Sequence, residues 1–326
     1  MVALGGGTGL SMLLRGLKEY TSRREERKAR PSVQIDAVVT VTDDGGSSGR
    51  LRREYFILPP GDIRNCMVAL SPDEALLARL FQYRFPGRGN GLAGHSFGNL
   101  FLTALAHVTG DFSEAVRVSS KVLATRGRIF PSTTTNVTLQ ATLDNGRTVA
   151  GETKISASRR RIRRIKLVPA TARPLPEVTS AIHEADLILL GPGSLYTSII
   201  PNLLVHGVAK SIAKSRARCV YIANLMTQPG ETRGYSVADH VRAIYEHTGE
   251  RLFHSVVVNR ASAPAHVLRR YRKQGAEPVD PSLDELRSMG LQYIAGDLLQ
   301  SGGVIRHDQR RLATLILGNF PLGKRS

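Results

Sequence analysis

The segment Val2 to Leu14, VALGGGTGLSMLL, constrains the chain most. A short apolar run passes directly into a glycine cluster and then into a helical pattern, so a strand must stop at Gly5-Gly6-Gly7-Thr8-Gly9 and restart as a helix. Such a junction turns backbone N–H groups and a helix N-terminus outward, where phosphate can sit. Glycine serves there because a Cβ would obstruct both the turn and the approaching phosphate oxygens. Gly5 and Gly7 have the spacing of the dinucleotide fingerprint, but its third glycine position is Leu10. The residues alone therefore leave open a phosphate loop or a tight structural turn.

At 326 residues the chain can bury a full core, and 41% apolar with 22% charged residues is a globular composition. No stretch approaches the roughly 18 uninterrupted apolar residues of a membrane span, and no basic and apolar leader opens the chain. The expected location is the cytoplasm. Cys66 and Cys219, far apart and without a second cysteine nearby, read as two buried thiols. A formal charge of +18 implies a field that draws anionic partners. Much of it lies in runs such as Arg23 to Arg30 and Arg159 to Lys166, with no interleaved aromatics and no tryptophan in the chain. A solvated arginine-rich exterior is favoured over a nucleic-acid surface.

After the first loop, Ser11 to Tyr20 reads as a helix and Thr21 to Pro31 as a charged surface connection. Val33 to Val41 is nearly all apolar, as expected of a strand buried on both faces of a parallel sheet. It ends at Asp43 and Asp44, where doubly wound folds place a carboxylate for a ribose hydroxyl. Leu58 to Asn65 reads as a loop before a helix at Cys66 to Leu70, and Ser71 as the cap of a helix over Pro72 to Phe81. Gly87 to Gly98, carrying His95 and Ser96, leads past Asn99 into a helix over Leu100 to Val108.

Between Val137 and Lys166 the pattern becomes a β meander: an alternating strand Val137 to Leu143, a turn at Asp144-Asn145-Gly146, a return over Thr148 to Ile155, and a third strand over Arg159 to Val168. Its arginines form a charged edge that discourages strand addition. The α/β rhythm then resumes with a helix at Val178 to Ala185, strands at Asp186 to Leu190, Cys219 to Ala223 and Phe253 to Val258, and a helix at Val237 to His247. Several of these strands end in Gly, Asp, Asn, Ser or Thr, including Gly191 to Ser198 and Asn224 to Glu231. Carboxyl ends of strands line the ligand crevice of open α/β sheets, so a nucleotide or sugar-phosphate site is expected there.

The segments GGGTGLSMLLRGLK, VTVTDDGGSSGRLR, LPPGDIRNCMVALS, LFQYRF, GHSFGNL, TGDFSEA, GPGSLYTSIIPNLL and NLMTQPGET together resemble the YvcK-type gluconeogenesis factors. That bacterial family is a branch of the group containing the CofD phospholactyl transferases of deazaflavin-coenzyme synthesis. The resemblance runs from Val2 to beyond Arg306. It implies an α/β Rossmann-like three-layer sandwich with a mostly parallel sheet and the inserted β meander. The chain is read as a single unit over residues 1–326, with a β-rich insertion at about 134–168 and a C-terminal α/β extension at about 260–326. The first strand begins almost at Met1 and is expected to be short and frayed.

The resemblance further implies binding of a UDP-sugar, notably UDP-N-acetylglucosamine, in a cytoplasmic regulatory protein needed for growth on gluconeogenic carbon sources and for cell shape and wall-precursor supply. Gly6, Gly7, Thr8, Gly9 and Leu10 carry over as the diphosphate loop, with Asp43, Asp44 and Ser47 beside it. Asn65, His95, Asn99, Gly193 and Ser194 fall in further family motifs expected at the cleft, and Tyr271 and Arg306 match UDP-sugar-binding positions. Tyr271 can stack on a ring and Arg306 can fork onto phosphate. No cofactor, metal or catalytic residue is required under this reading. The alternative is a CofD-like 2-phospho-L-lactate transferase using a nucleotide-activated donor and a deazaflavin acceptor, with Asp43, Asp44 and Asp62 holding Mg²⁺ or taking a proton. A regulatory protein partner and a homo-oligomer are also expected.

Overall fold

The computed structural model describes residues 1–21, 33–72, 76–87 and 91–320. Its ten described strands are β1 (Val2–Gly5), β2 (Asp36–Val39), β3 (Arg128–Pro131), β4 (Thr138–Leu143), β5 (Thr148–Ala150), β6 (Ile162–Val168), β7 (Leu187–Leu190), β8 (Arg218–Ile222), β9 (Ser255–Asn259) and β10 (Gln292–Gly296). Seven make one parallel sheet in the order β10-β9-β8-β7-β1-β2-β3, with helices on both faces. From β1 the chain builds outward through β2 and β3, then returns to lay β7 on the other side of β1. Strand order therefore reverses between β1 and β7, which opens a crevice at their carboxyl ends.

The expected fraying of β1 does not occur. Val2 and Ala3 are fully buried and Leu4 is 1% exposed, because the strand is paired on both sides. The Met1 ammonium also donates to the Gln34 carbonyl at 2.9 Å. Helix Gly7–Leu17 starts earlier than expected, inside the glycine cluster, and Leu10, Leu13, Leu14 and Leu17 present one face to the core. Burying each such side chain stabilises by about 1.5–3 kcal/mol. Helix Gln309–Asn319 packs across it so closely that a Cβ on Gly16 would lie 2.1 Å from the Gln309 carbonyl oxygen.

Several boundaries differ from the sequence reading. Gly61 to Asn65, expected in a loop, is the first part of helix Gly61–Leu70. Helix Phe97–Thr109 begins three residues early, because Ser96 Oγ accepts the Asn99 N–H and caps it. Helix Leu76–Gln82 covers the later part of the stretch expected at Pro72 to Phe81. The Arg23 to Arg30 run and most of the connection at Thr21 to Pro31 lie outside the described residues, as do residues 73–75 of the first turn expected at Pro72.

The insertion is a small antiparallel sheet in the order β5-β4-β6, so the third strand lies against β4. The return expected over Thr148 to Ile155 stops at Ala150. Gly151 takes φ 95, and Glu152–Ala157 is a helix. The β6 edge is protected by more than its arginines, since the Ile165 N–H donates to His247 Nε2 at 3.0 Å. No helix among the described residues is long and apolar enough to cross a membrane.

Helix Gly46–Tyr55 ends on Phe56 at φ 54, with the ring 86% exposed. A bulky residue in the left-handed region is strained there, and its side chain returns little burial. Phe56→Gly is therefore expected to stabilise the protein by about 1 kcal/mol. A thermal melt checks this, and a lowered midpoint would refute it.

Candidate functional site

The glycine loop, the loops after β2, β7 and β8, and the segment before the last helix enclose a cleft of about 550 Å³. Gly6, Gly7, Thr8 and Gly9 form its floor. The Thr8 and Gly9 amides lie in the first turn of helix Gly7–Leu17, where N–H groups lack intrahelical partners. Gly7 is at φ +60, and its amide donates to the Asp62 carboxylate. Packed directly against Gly9, the Gly191-Pro192-Gly193-Ser194 loop is pinned by Asn224, which accepts the Gly193 N–H at 3.1 Å and donates to the Gly193 carbonyl at 2.8 Å. Gln228 Nε2 donates to Ser194 Oγ at 2.7 Å.

The lining also includes Tyr271 and Arg306. The Tyr271 hydroxyl accepts the Ile305 N–H at 3.1 Å, which ties helix Ala265–Lys273 to the segment bearing Arg306. The Arg306 side chain is exposed at the cleft wall.

Carboxyl groups crowd one end of the cleft. Burial pushes Asp62 up to about 7, reinforced by the Asp43 charge and opposed by the hydrogen bond from Gly7. Burial raises Glu152 to about 9, with Asp43, Asp62, Glu231 and Asp44 adding repulsion. Glu231, buried outside the cleft lining, rises to about 7 through burial, although it accepts the Tyr196 N–H at 3.3 Å. At neutral pH such a cluster holds protons and can exchange hydrogen bonds with sugar hydroxyls. Among the described residues, no three His, Cys, Asp or Glu side chains are placed to hold a metal ion. Asp44 in particular is committed elsewhere, since its Oδ1 accepts the Thr153 N–H at 2.9 Å and the Thr153 hydroxyl at 2.7 Å.

Of the residues expected at the site, Gly6, Gly7, Thr8, Gly9, Asp43, Gly193, Ser194, Tyr271 and Arg306 line this cleft, as does Asp62. Leu10, Asp44, Ser47, Asn65, His95 and Asn99 do not. Leu10 is fully buried in the core. Ser47, His95 and Asn99 bond one another in a buried polar cluster. Asn99 Nδ2 donates to Ser47 Oγ at 3.0 Å, and the same hydroxyl is hydrogen-bonded to His95 Nδ1 at 2.8 Å. Asn65 accepts from Arg64 at 2.6 Å, and Arg64 also reaches Ser96. The sequence reading omitted Glu152, hidden in a stretch taken for a strand, and singled out neither Gln228 nor His307.

Fold and cleft define a Rossmann-like α/β protein whose glycine-rich loops converge where strand order reverses. The family model described as 2-phospho-L-lactate transferase CofD matches residues 1–299. The chain is 51% identical to a relative from Nostoc over 97% of this chain and 68% of that one. It is 49% identical to the gluconeogenesis factor of Bacillus subtilis over 96% of this chain and 95% of that protein. A crystal structure from Bacillus halodurans superposes with a TM-score of 0.90 at 44% identity, covering 97% of each chain. The chain belongs to the CofD family, in its YvcK-type gluconeogenesis-factor branch.

Proposed function

We propose that this protein is a cytoplasmic regulatory factor that binds a UDP-sugar, UDP-N-acetylglucosamine or a close relative, and supports growth on gluconeogenic carbon sources, cell shape and wall-precursor supply. The observation that carries the reading is the composition of the cleft. Helix N-terminal amides, an arginine and a tyrosine line one volume suited to a nucleotide, together with a group of carboxyls that suits sugar hydroxyls. Relatives named gluconeogenesis factors support the physiological part. A regulatory protein partner that reads the liganded state, and self-association, belong to the same proposal.

The second reading, phospholactyl transfer to a deazaflavin with Mg²⁺, draws on the family description and on Asp43 and Asp62 within the cleft. With its proton affinity near neutrality, Asp62 has the poise of a general base. Calorimetric titration with UDP-N-acetylglucosamine followed by product analysis separates the two. Saturable binding with intact ligand supports the regulatory factor, and release of UMP or UDP makes the protein an enzyme. Arg306→Ala is expected to weaken binding roughly 10- to 100-fold, the worth of a charge-assisted hydrogen bond. Its exposed side chain leaves the melting temperature unchanged. Unaltered affinity would remove Arg306 from the site.

A further inference from the structure

Helices Leu76–Gln82 and Phe97–Thr109 form an antiparallel hairpin on the surface. The Phe97 N–H donates to the Tyr83 carbonyl at 2.8 Å, and the Phe81 ring lies 5.9 Å from Phe97 and 5.0 Å from Phe101. The longer helix turns Gly98, Asn99, Leu102, Thr103 and Ala106 into the core. A surface helix normally sets polar residues opposite such a face. Here the opposite face carries Phe101, Ala104, Leu105 and Val108, and Val108 is 82% exposed. The shorter helix buries Ala78 and Phe81 and leaves Leu76, Leu77 and Leu80 outside, with Leu76 at 75%. Tyr55 meets His107 edge-on at 6.0 Å, so Phe56 and Val108 each lie one residue from that contact. Phe56 is the residue held at φ 54 with its ring in solvent. The fold gains nothing from that strain, and strained residues persist where function uses them.

Charge decides what such a surface can meet. From Leu76 to Thr109 the sequence has no aspartate or glutamate, but it has Arg79, Arg84 and Arg88. Arg79 and Arg84 are exposed, and among the described residues neither pairs with a carboxylate. A second copy would set arginines against arginines with no acid on either hairpin, and the charge of +18 on each chain would oppose the approach. Side chains that stand this far out need matching holes in a protein partner, whereas the acyl boundary of a bilayer takes them without any. We propose that this hairpin, with Phe56, docks the protein on an anionic membrane surface. The apolar side chains enter the boundary between headgroups and acyl chains, and Arg79 and Arg84 meet the lipid phosphates.

Flotation of the whole protein with lipid vesicles tests this. Vesicles of equal parts phosphatidylglycerol and phosphatidylcholine should bind it at least ~10-fold better than phosphatidylcholine alone, and added salt should weaken the binding. Phe56→Gly relieves backbone strain and Leu76→Asp changes an exposed first helical residue, so neither lowers the melting temperature. Each should weaken vesicle binding at least ~10-fold. A purely structural role for Phe56 would leave vesicle binding unmoved. Absence of flotation with the anionic vesicles, equal flotation with both kinds, or undiminished binding by either variant would overturn the proposal. So would a wild-type dimer in sedimentation that these substitutions split, because a second copy would then cover the face.

Discussion

Replacing Gly9 with alanine is expected to abolish the proposed UDP-sugar binding and to lower stability by about 3 kcal/mol. A Cβ at this position would stand 2.1 Å from the Pro192 carbonyl oxygen, 2.7 Å from the carbonyl carbon and 3.1 Å from the Gly193 Cα. All three obstacles are backbone, so no rotamer change relieves the clash. The Pro192 segment cannot slide away freely, because Asn224 grips Gly193 through both its amide and its carbonyl. The first turn of helix Gly7–Leu17 and the Gly193-Ser194 loop must then separate, and under the proposed reading those two surfaces hold the ligand's phosphate together. Gly318→Ala is the control: it lies in helix Gln309–Asn319 with nothing within 4 Å of the new methyl, and should stabilise by up to about 1 kcal/mol. Calorimetric titration and a thermal melt on the two variants check both halves. A Gly9→Ala protein that binds normally would show that the two glycine loops do not form one site.

The five inner strands of the main sheet were legible because they are buried and read as continuous apolar runs, whereas the partly buried edge strands β3 and β10 were not read. DLILL and VQIDAVV leave few alternatives. The glycine loops were equally readable, since each follows such a run directly. Side-chain allegiance was not. Ser47, His95 and Asn99 sit beside glycine-rich loops just as Thr8 and Ser194 do, yet they bond one another and are absent from the cleft lining, with Asn99 Oδ1 left unpaired. That choice depends on which helix packs against which, and local spacing does not encode it. Glu152 was lost for a related reason. Thr148 to Ile155 has β-like composition, but Gly151 at φ 95 turns the chain, and Thr153 reaches back 109 positions to Asp44. His307 had no signal apart from lying beside Arg306, because what sets it apart is its burial in the fold.

A second large effect is expected from Asp62→Asn, and its size should depend on pH. Below the unfolded carboxyl's value of 3.8, folded and unfolded chains both hold the proton, and burial of Asp62 carries no penalty. As pH rises from there the unfolded chain ionises while the folded chain keeps its proton, so stability falls until the folded group ionises near pH 7. Above that point the penalty is constant, roughly a few kcal/mol, part of it shared with Asp43 and Glu152. Asparagine removes this titration, and its amide oxygen can still accept the Gly7 N–H. Asp62→Asn should therefore melt well above wild type at pH 8, with the gap closing as the pH approaches 4, and a gap independent of pH would refute the account. The same substitution bears on function. The Asp62 carboxylate sits at the N-terminus of the helix offered to phosphate, where negative charge repels the ligand. In a binding factor, neutralising it should tighten UDP-sugar binding at pH 8 several-fold. In a transferase that needs Asp62 as a base or a metal ligand, the tighter binding would come with loss of turnover.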